Sequence, residues 1–430
     1  MIIPIKYPTA DLLTEVLRRP SSNNAAVQNS VTKIIDDVKS RGDVAIRHYT
    51  EQFDHAFVDS FEVPKQKWKD AAYSVTDTLK KAIDVAINNI SKFHAAQAEV
   101  ASPTETSEGV ICWRRSVAIE KIGLYIPGGS APLFSTLLML AVPAKLAGCR
   151  EVIVCTPPDR NGNIDGTILY AAYIVGVDRI FGIGGAQAIA AMAYGTKTVP
   201  KVHKIFGPGN SYVTAAKVMV GASGTAIDLP AGPSEVAVLA DDSCIPAFVA
   251  ADLLAQAEHG ADSQVLLVTD SATVLNEVYA EVEKQCSLLP RKDIAAAALR
   301  NSQFILVRNL SDGMAIVNEY APEHLIIATN NADELADSVV NAGSVFLGHY
   351  TPESAGDYAS GTNHTLPTGG HAKAYSGVSL DSFLKKITFQ KISRPGLENL
   401  ANTVTTMAIA EGLEAHATSV TIRLKNISND

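Results

Sequence analysis

Apolar residues follow a helical spacing in the first quarter of the chain and then collect into short runs. Between residues 24 and 97 they recur every three or four positions, which predicts helices, and Gly42 followed by Asp43 fits a helix end and a new N-cap. Beyond Pro103 the segment VICWRRSVAIEKIGLYIP predicts paired strands. From there to residue 348, strand-like and helical runs alternate in two blocks of similar rhythm. This alternation predicts an α/β fold of βα units around mostly parallel sheets.

One long polar stretch interrupts the alternation, from Tyr350 to Thr368 with the sequence YTPESAGDYASGTNHTLPT. Its many Gly, Ser, Thr and Pro residues exclude a long helix or a central strand. Because a strand-like run precedes it and an apolar, periodic segment follows it, we expect an ordered loop. Asp357 and His364 would then form half of a metal or substrate site. After this loop the pattern predicts helical segments to the end of the chain.

Composition narrows the classes of protein that the chain can be. Its 430 residues favour two or more domains, and 47% hydrophobic with 19% charged residues is typical of a soluble globular protein. The net charge of −9 argues against nucleic acid or an anionic membrane as partner. No signal peptide is visible, and the most apolar segment, residues 137–148, is too short to cross a bilayer. Five scattered cysteines without a CxxC spacing favour a cytoplasmic location.

Two pairs of neighbouring residues carry candidate chemistry. Gln256 and His259 stand at i and i+3 at the end of an apolar helix and so share one face, although a helix C-terminus ending at Gly260 explains them equally well. Glu323 and His324 follow a proline just before a buried-looking strand. Such a pair can perform acid–base chemistry, since both groups titrate near neutrality when partly buried. The alternative is a plain polar loop.

A metal site is one way to use these side chains together. Glu411 and His416 lie on a late helix, where a solvated helix face is the alternative explanation. Asp357, His259 and His416 with an amide such as that of Gln256 would make a mixed nitrogen and oxygen set that suits Zn²⁺. Because these residues lie far apart along the chain, their spacing alone is weak evidence for a metal site.

Two glycine turns have the form of nucleotide-binding loops. Residues 182–188 (GIGGAQA) and 207–212 (GPGNSY) each follow a strand and open a helix, which is the geometry that cradles a pyrophosphate. Neither turn is GxGxxG, and neither has a well-placed acidic residue for the ribose. Nucleotide binding and a purely structural role both remain open on this evidence.

Taken together, the long blocks of this sequence resemble the histidinol dehydrogenase family over essentially the whole chain. The blocks that carry the resemblance include GLYIPGGSAPLFSTLLMLAVPAKLAGC, FGIGGAQAIAAMAYGT, KIFGPGN, AIDLPAGPSEV, LLAQAEHGADSQV, YAPEHLII, AGSVFLG, TPESAGDYASGTNHTLPT and EGLEAH. The resemblance implies a homodimeric enzyme that oxidises L-histidinol through L-histidinaldehyde to L-histidine with two NAD⁺, the last step of histidine biosynthesis.

The resemblance also implies residue roles. Glu323 and His324 would be catalytic: His324 takes the alcohol proton and Glu323 activates the water that hydrates the aldehyde. Four residues would hold the zinc, the last from the partner subunit: Gln256, His259, Asp357 and His416. Substrate contacts would be these ligands, His324 and three further residues: Ser234, His364 and the partner subunit's Glu411. A nearby Glu414 leaves open which acid meets the substrate. The positions that match NAD contacts are Tyr125, Gln187 and Asn210.

The domain plan that the resemblance implies has four parts. Two Rossmann-like domains would comprise residues 22–124 with 235–372, carrying most of the zinc and catalytic site, and residues 125–234, carrying the NAD contacts. Residues 1–21 would form a dimerisation arm, and residues 373–430 a helical tail reaching the partner, so that the active site needs the dimer.

Two other functions compete with this interpretation. A paralogous zinc- and NAD-dependent dehydrogenase could oxidise another small alcohol, although Glu411, His416 and His364 would suit an imidazole-bearing amine. A zinc hydrolase could instead use Glu323 to activate water on an amide, and both glycine turns would then be structural.

Overall fold

The computed structural model describes residues 3–19, 25–128, 132–229 and 232–427. The strands are β1 (Ile5–Lys6), β2 (Thr104–Ser107), β3 (Val110–Ala118), β4 (Lys121–Tyr125), β5 (Glu151–Thr156), β6 (Arg179–Gly182), β7 (Lys204–Phe206), β8 (Ala226–Ile227), β9 (Glu235–Ala240), β10 (Gln264–Thr269), β11 (Gln303–Leu306), β12 (His324–Ala328), β13 (Ser344–Leu347) and β14 (Leu384–Ile392). The first nine α-helices are α1 (Ala10–Val16), α2 (Ala25–Arg41), α3 (Asp43–Tyr49), α4 (Lys65–Ala71), α5 (Asp77–Ala95), α6 (Phe134–Ala147), α7 (Gly166–Val175), α8 (Gly185–Tyr194) and α9 (Ser211–Ala222). The later ones are α10 (Pro246–Ala257), α11 (Ala272–Leu288), α12 (Lys292–Leu299), α13 (Leu310–Tyr320), α14 (Ala332–Ala336), α15 (Glu353–Tyr358), α16 (Arg394–Ala410) and α17 (Glu414–Ile427).

Two parallel sheets form the framework, and the predicted α/β class is confirmed. One sheet has six strands in the order β1-β11-β10-β9-β12-β13, and the other has five in the order β6-β5-β4-β7-β8. Every neighbouring pair in both sheets is parallel. The central strands β9, β10 and β12 are buried along their whole length, as expected of parallel strands covered on both faces.

Alternate residues of each strand enter different cores on the two faces of its sheet. In β5, Val152 and Val154 belong to one hydrophobic cluster while Ile153 and Cys155 belong to another. The first cluster contains side chains of α6 and α7, and the second contains those of α8. β9 divides its side chains in the same way between the clusters of α10 and α13. The period-2 pattern of the strands therefore sets which helix covers which face.

The early helices pack on the side of the five-stranded sheet. α2 lies against α8 and α9, α4 against α7, and α5 against α6. The resemblance had grouped residues 22–124 with the six-stranded sheet. The domain boundaries that it implies stay a prediction.

Contacts divide the chain into two compact units, residues 1–97 with 119–383 and residues 98–118 with the segment from 384 onward. The second unit contains an antiparallel sheet, β14-β3-β2, and the mutually packed helices α16 and α17. Two local expectations are wrong here: β3 pairs with β14 rather than with β4, and residues 384–392 form a strand instead of a helix. The aromatic ring of Phe389 stacks on Trp113 across that pair, at 5.4 Å between centroids.

Within the part of the chain that the structure describes, no helix combines the length and the apolarity needed to cross a membrane.

Candidate active site

The catalytic candidates lie at the amino ends of the central strands of the six-stranded sheet. His324 is the first residue of β12, and in the register it stands beside Val236 of β9 and Ser344 of β13. α10 follows β9 and runs back across the sheet, which returns Gln256, near its end, to the same edge. Parallel strands covered by antiparallel helices thus bring together residues far apart in sequence.

His324 is buried and is held between a carbonyl and three carboxylates. Its Nδ1 lies 3.4 Å from the carbonyl oxygen of Glu235, to which it can donate, 3.7 Å from Glu323 Oε2 and 3.9 Å from Glu353 Oε1. Its Nε2 lies 3.5 Å from Asp357 Oδ1. With Nδ1 directed at the carbonyl, Nε2 is the atom that can exchange a proton with a substrate.

The charges of this cluster perturb one another. Burial lowers the pKa of His324, but the carboxylates of Glu353, Glu323 and Asp357 outweigh burial and raise it to about 10. Burial raises the pKa of Glu323 to about 8, against the opposing effect of His324 and of the Glu235 N–H, which donates to Glu323 Oε2 at 2.9 Å. Perturbed carboxyl and imidazole groups in one buried cluster are typical of a catalytic site.

Asp357 and His364 both come from the Tyr350–Thr368 segment, which contains the short helix α15. The Nδ1–H of His364 lies 3.1 Å from the carbonyl oxygen of Asp357, and its Nε2 lies 3.2 Å from the Thr136 hydroxyl of α6. The buried amide of Asn363 donates to the Met139 carbonyl at 2.6 Å. These contacts fix the segment on α6 and so place the Asp357 carboxylate.

Two acidic residues at the site escaped the sequence analysis. Glu353 is 1% exposed, and burial raises its pKa to about 8. Burial also raises the pKa of Asp252, which influences Glu353, to about 7. A signal existed for both, since Glu353 stands four residues before Asp357 and Asp252 four before Gln256, the spacing of one helix face.

Four further residues predicted for the site are His259, Ser234, Glu411 and His416. His259 is exposed, and its charge helps to lower the pKa of Asp357: burial works to raise that pKa, but His324, His364 and His259 outweigh burial. Ser234 is half-buried and immediately precedes β9. Glu411 and His416 belong to the second unit, where both are exposed, and their part in the site stays a prediction.

The cluster has the ligand atoms of a cation site. One ligand atom each from His324, Glu353 and Asp357 lie within 4.8 Å of one another, a set that shares only Asp357 with the predicted zinc ligands. Asp357 Oδ1 is buried and finds no hydrogen-bond partner among the residues that the structure describes. An unpartnered buried carboxylate oxygen beside an imidazole and a second carboxylate fits a divalent cation, so the residues pass this test for zinc.

The three residues predicted to contact NAD line one cavity of about 1090 Å³ at the carboxyl edge of the five-stranded sheet. Tyr125, the last residue of β4, accepts from the Gly185 N–H at 3.1 Å, and Asn210 caps α9. Both helix N-termini of the glycine turns therefore already have side-chain partners. Both polar atoms of the Gln187 amide, by contrast, are buried without a partner within the described ranges. That unsatisfied amide in a large cavity fits a polar ligand.

A buried imidazole held between carboxylates can move protons and, with their oxygens, bind a cation. The fold and the site therefore define an α/β enzyme with a candidate metal centre.

Comparison with known proteins gives this class a family. The sequence profile described as histidinol dehydrogenase matches residues 17–424. The histidinol dehydrogenase of Bacteroides thetaiotaomicron is 56% identical over 98% of this chain and 99% of that protein, and that of Escherichia coli K12 is 50% identical over 97% and 96%. The crystal structure of histidinol dehydrogenase from Elizabethkingia anophelis superposes with a TM-score of 0.97 at 50% identity, covering 99% of both chains. The chain belongs to the histidinol dehydrogenase family, a family of oxidoreductases of histidine biosynthesis.

Proposed function

We propose that the chain is a zinc-dependent histidinol dehydrogenase that oxidises L-histidinol through L-histidinaldehyde to L-histidine, with two NAD⁺ consumed. The observation that carries this proposal is the buried cluster in which His324 Nε2 lies 3.5 Å from the unpartnered Asp357 Oδ1. It joins a group that can exchange a proton to an oxygen that can bind a cation, a combination that suits metal-assisted oxidation of an alcohol.

Four residues hold the metal in this proposal: Gln256, His259, Asp357 and the partner subunit's His416. Zinc, when bound, is redox-inert and supplies a positive charge that orients and polarises the bound substrate. Gln256 is fully buried beside Glu353, whereas His259 is exposed, as a ligand at the open side of a site would be before the partner subunit covers it. Support for these ligands comes from family membership and from the cation-compatible cluster around Asp357.

His324 accepts the proton of the substrate hydroxyl at Nε2. It must be neutral to do so, and the negative field of Glu353, Glu323 and Asp357 is weakened by any positive charge bound beside them. The hydrogen bond from Nδ1 to the Glu235 carbonyl holds the ring in the required tautomer.

Glu323 serves the second oxidation by taking a proton from the water that hydrates the aldehyde. Its pKa of about 8, raised by burial, places its proton exchange close to the working pH. The Glu235 N–H fixes its Oε2 at 2.9 Å, so the carboxylate keeps its position between the two oxidations.

NAD⁺ would accept one hydride in each oxidation and would bind in the cavity lined by Tyr125, Gln187 and Asn210. The unpartnered Gln187 amide supports this assignment, because a nicotinamide or ribose offers both a donor and acceptors. The homodimer and the cytoplasmic location remain part of the proposal.

One spectrophotometric assay tests the proposal. We expect purified protein with L-histidinol and excess NAD⁺ to form about two NADH per substrate, to stop after chelator treatment and to recover on adding Zn²⁺. Absence of NADH with active-site metal present would contradict the proposal. Oxidation of another small alcohol with histidinol inert would instead support the paralogue.

A further inference from the structure

Glu353 is a buried carboxylate that the catalytic steps proposed above leave without a task. It begins α15 and is 1% exposed. α15 packs against α10, and there the side chain of Gln256, which is 0% exposed, meets it. A buried carboxylate is costly unless a hydrogen-bond partner compensates it, and Gln256 is such a partner for Glu353.

The contact between Glu353 and Gln256 satisfies both groups in one orientation of the amide. With its nitrogen toward the carboxylate, Gln256 donates to both oxygens of Glu353, at 3.1 Å to Oε2; with its oxygen there, two acceptors would face each other. The nitrogen is the only donor of the Gln256 amide, and both Glu353 oxygens lie within its reach. The Gln256 oxygen is therefore turned away from Glu353.

This orientation matters because the amide oxygen, and not the NH₂ group, has a lone pair that can bind a metal ion. We infer that Glu353 is a positioning residue, which holds the Gln256 amide so that its oxygen faces the zinc. The inference rests on the proposed zinc function. It gives Glu353 the role of a hydrogen-bond partner that orients a metal ligand.

The competing role for Glu353 is that of a direct ligand, since it lies in the same cluster as His324 and Asp357. The two roles differ in their dependence on Gln256. A positioning residue acts only when its ligand is present, whereas a direct ligand contributes whether or not the amide exists. A double-mutant cycle separates them.

The experiment measures the affinity of the metal-free, full-length protein for Zn²⁺ alone, in competition with a chromophoric chelator. We expect Glu353→Gln to weaken binding about tenfold, because the new amide can pair with Gln256 in either orientation and so present its nitrogen to the metal. In a Gln256→Ala background, Glu353→Gln should change the affinity by less than about twofold. Glu277→Gln, at an exposed position of α11, is the matched control and should bind as the unsubstituted protein does.

Equal losses in both backgrounds would overturn the inference and make Glu353 a direct ligand, and an unchanged affinity of Glu353→Gln would overturn it as well. If circular dichroism shows that Glu353→Gln is unfolded, Glu353→Asp replaces it in both backgrounds. The shorter Asp side chain would place its carboxylate about one bond length farther from the Gln256 amide. We therefore expect the same loss of Zn²⁺ affinity with Gln256 present, and the same small change in the Gln256→Ala background. A failure of the unsubstituted protein to bind Zn²⁺ would refute the proposed function instead.

Discussion

At the level of single residues, the site depends on carboxylates that repel one another and whose charges are balanced in part by His324. Asp357 is central, because its Oδ1 is buried without a partner among the described residues and lies 3.5 Å from His324 Nε2. In the protein without metal, this oxygen is a desolvated charge that no hydrogen bond compensates. The site is therefore built for a ligand more than for stability.

Asp357→Ala should remove zinc and lower turnover at least about 100-fold, since it deletes a proposed metal ligand. The fold should stay intact, with a modest fall in the melting temperature of the metal-free protein, because His324, His364 and His259, which lower the pKa of Asp357, lose a favourable charge partner. Metal content, turnover and circular dichroism check this, with exposed Asp333→Ala of α14 as control. Stoichiometric zinc in Asp357→Ala would contradict the assignment.

Asp54, in the NAD cavity, should make stability depend on pH. Burial raises its pKa from an ordinary 3.8 to about 6, so the folded state holds this proton more tightly than the unfolded state does. Stability is therefore lost as pH rises from about 4 to about 6, and the loss is complete above that range. Asp54→Asn has no such loss.

We subtract the melting temperature of the unsubstituted protein from that of Asp54→Asn. This difference should grow by roughly 1–3 °C from pH 4 to pH 7. Thermal unfolding across this range measures it, and Asp59→Asn, at an exposed position, is the control. A difference that stays constant with pH would show that Asp54 is ionised equally in both states.

The predictability of the site differed from residue to residue. Glu323 and His324 could be picked out because they are adjacent and follow Pro322 before a buried strand. Glu353 was harder to pick out: its spacing of four residues from Asp357 fits one helix face, but nothing in TPESAGDY indicates that α15 buries it against α10. Burial of a polar residue is decided by packing between distant segments, and one sequence does not contain that information.

At the level of elements, α15 carries both Glu353 and Asp357 and depends on a close approach to β13. A Cβ on Gly356 would lie 2.7 Å and 2.8 Å from two ring carbons of Phe346, which is buried. The same ring lies beside His324, with centroids 5.9 Å apart. Gly356 thus sets the distance between the carboxylates and the imidazole.

Gly356→Ala should destabilise the protein by about 1–3 kcal/mol through overpacking, and it should lower turnover by moving α15. Thermal unfolding and the NADH assay measure the two effects. Gly221→Ala is the matched control, because the nearest atoms to its new methyl group would be those of Ile227, at an ordinary contact distance of 3.9 Å, and alanine favours the helix. Equal stabilities of the two variants would refute the packing argument.

Elements with strong periodicity were predictable, whereas those decided by pairing were not. The buried parallel strands and their helices follow from runs such as SQVLLVTD and PLFSTLLMLAVPAKLAG. The segment LKKITFQKI was expected to be helical, but its β-branched and aromatic residues pair with β3 across nine positions. Pairing with a strand more than 260 residues earlier overrides a local preference for helix.

At the level of the whole molecule, the chain has two units that differ in how much apolar side-chain surface they expose. The unit with residues 1–97 and 119–383 contains four extensive hydrophobic clusters, whereas α16 and α17 of the other unit leave Met407, Ile409 and Ile422 more than half exposed. Such apolar surface favours association with another chain. Glu411 and His416, the residues proposed to complete the partner's site, lie in this same unit.

A shared site makes a prediction that a site within one chain does not. His259→Ala and His416→Ala subunits should each be nearly inactive as homodimers, because each removes one proposed zinc ligand from both sites. In a mixed dimer, one site then combines both substitutions, while the other combines the intact His259 of one subunit with the intact His416 of its partner. Random mixing yields about half mixed dimers, so about a quarter of the original activity should return.

The activity of the mixed dimer by itself is measured with differently tagged subunits, which are purified as verified mixed dimers and assayed for NADH formation. If those mixed dimers contain zinc but stay inactive, His416 does not act across subunits. Half of the original activity per mixed dimer would instead require that His416 acts across subunits, because neither chain alone retains both His259 and His416.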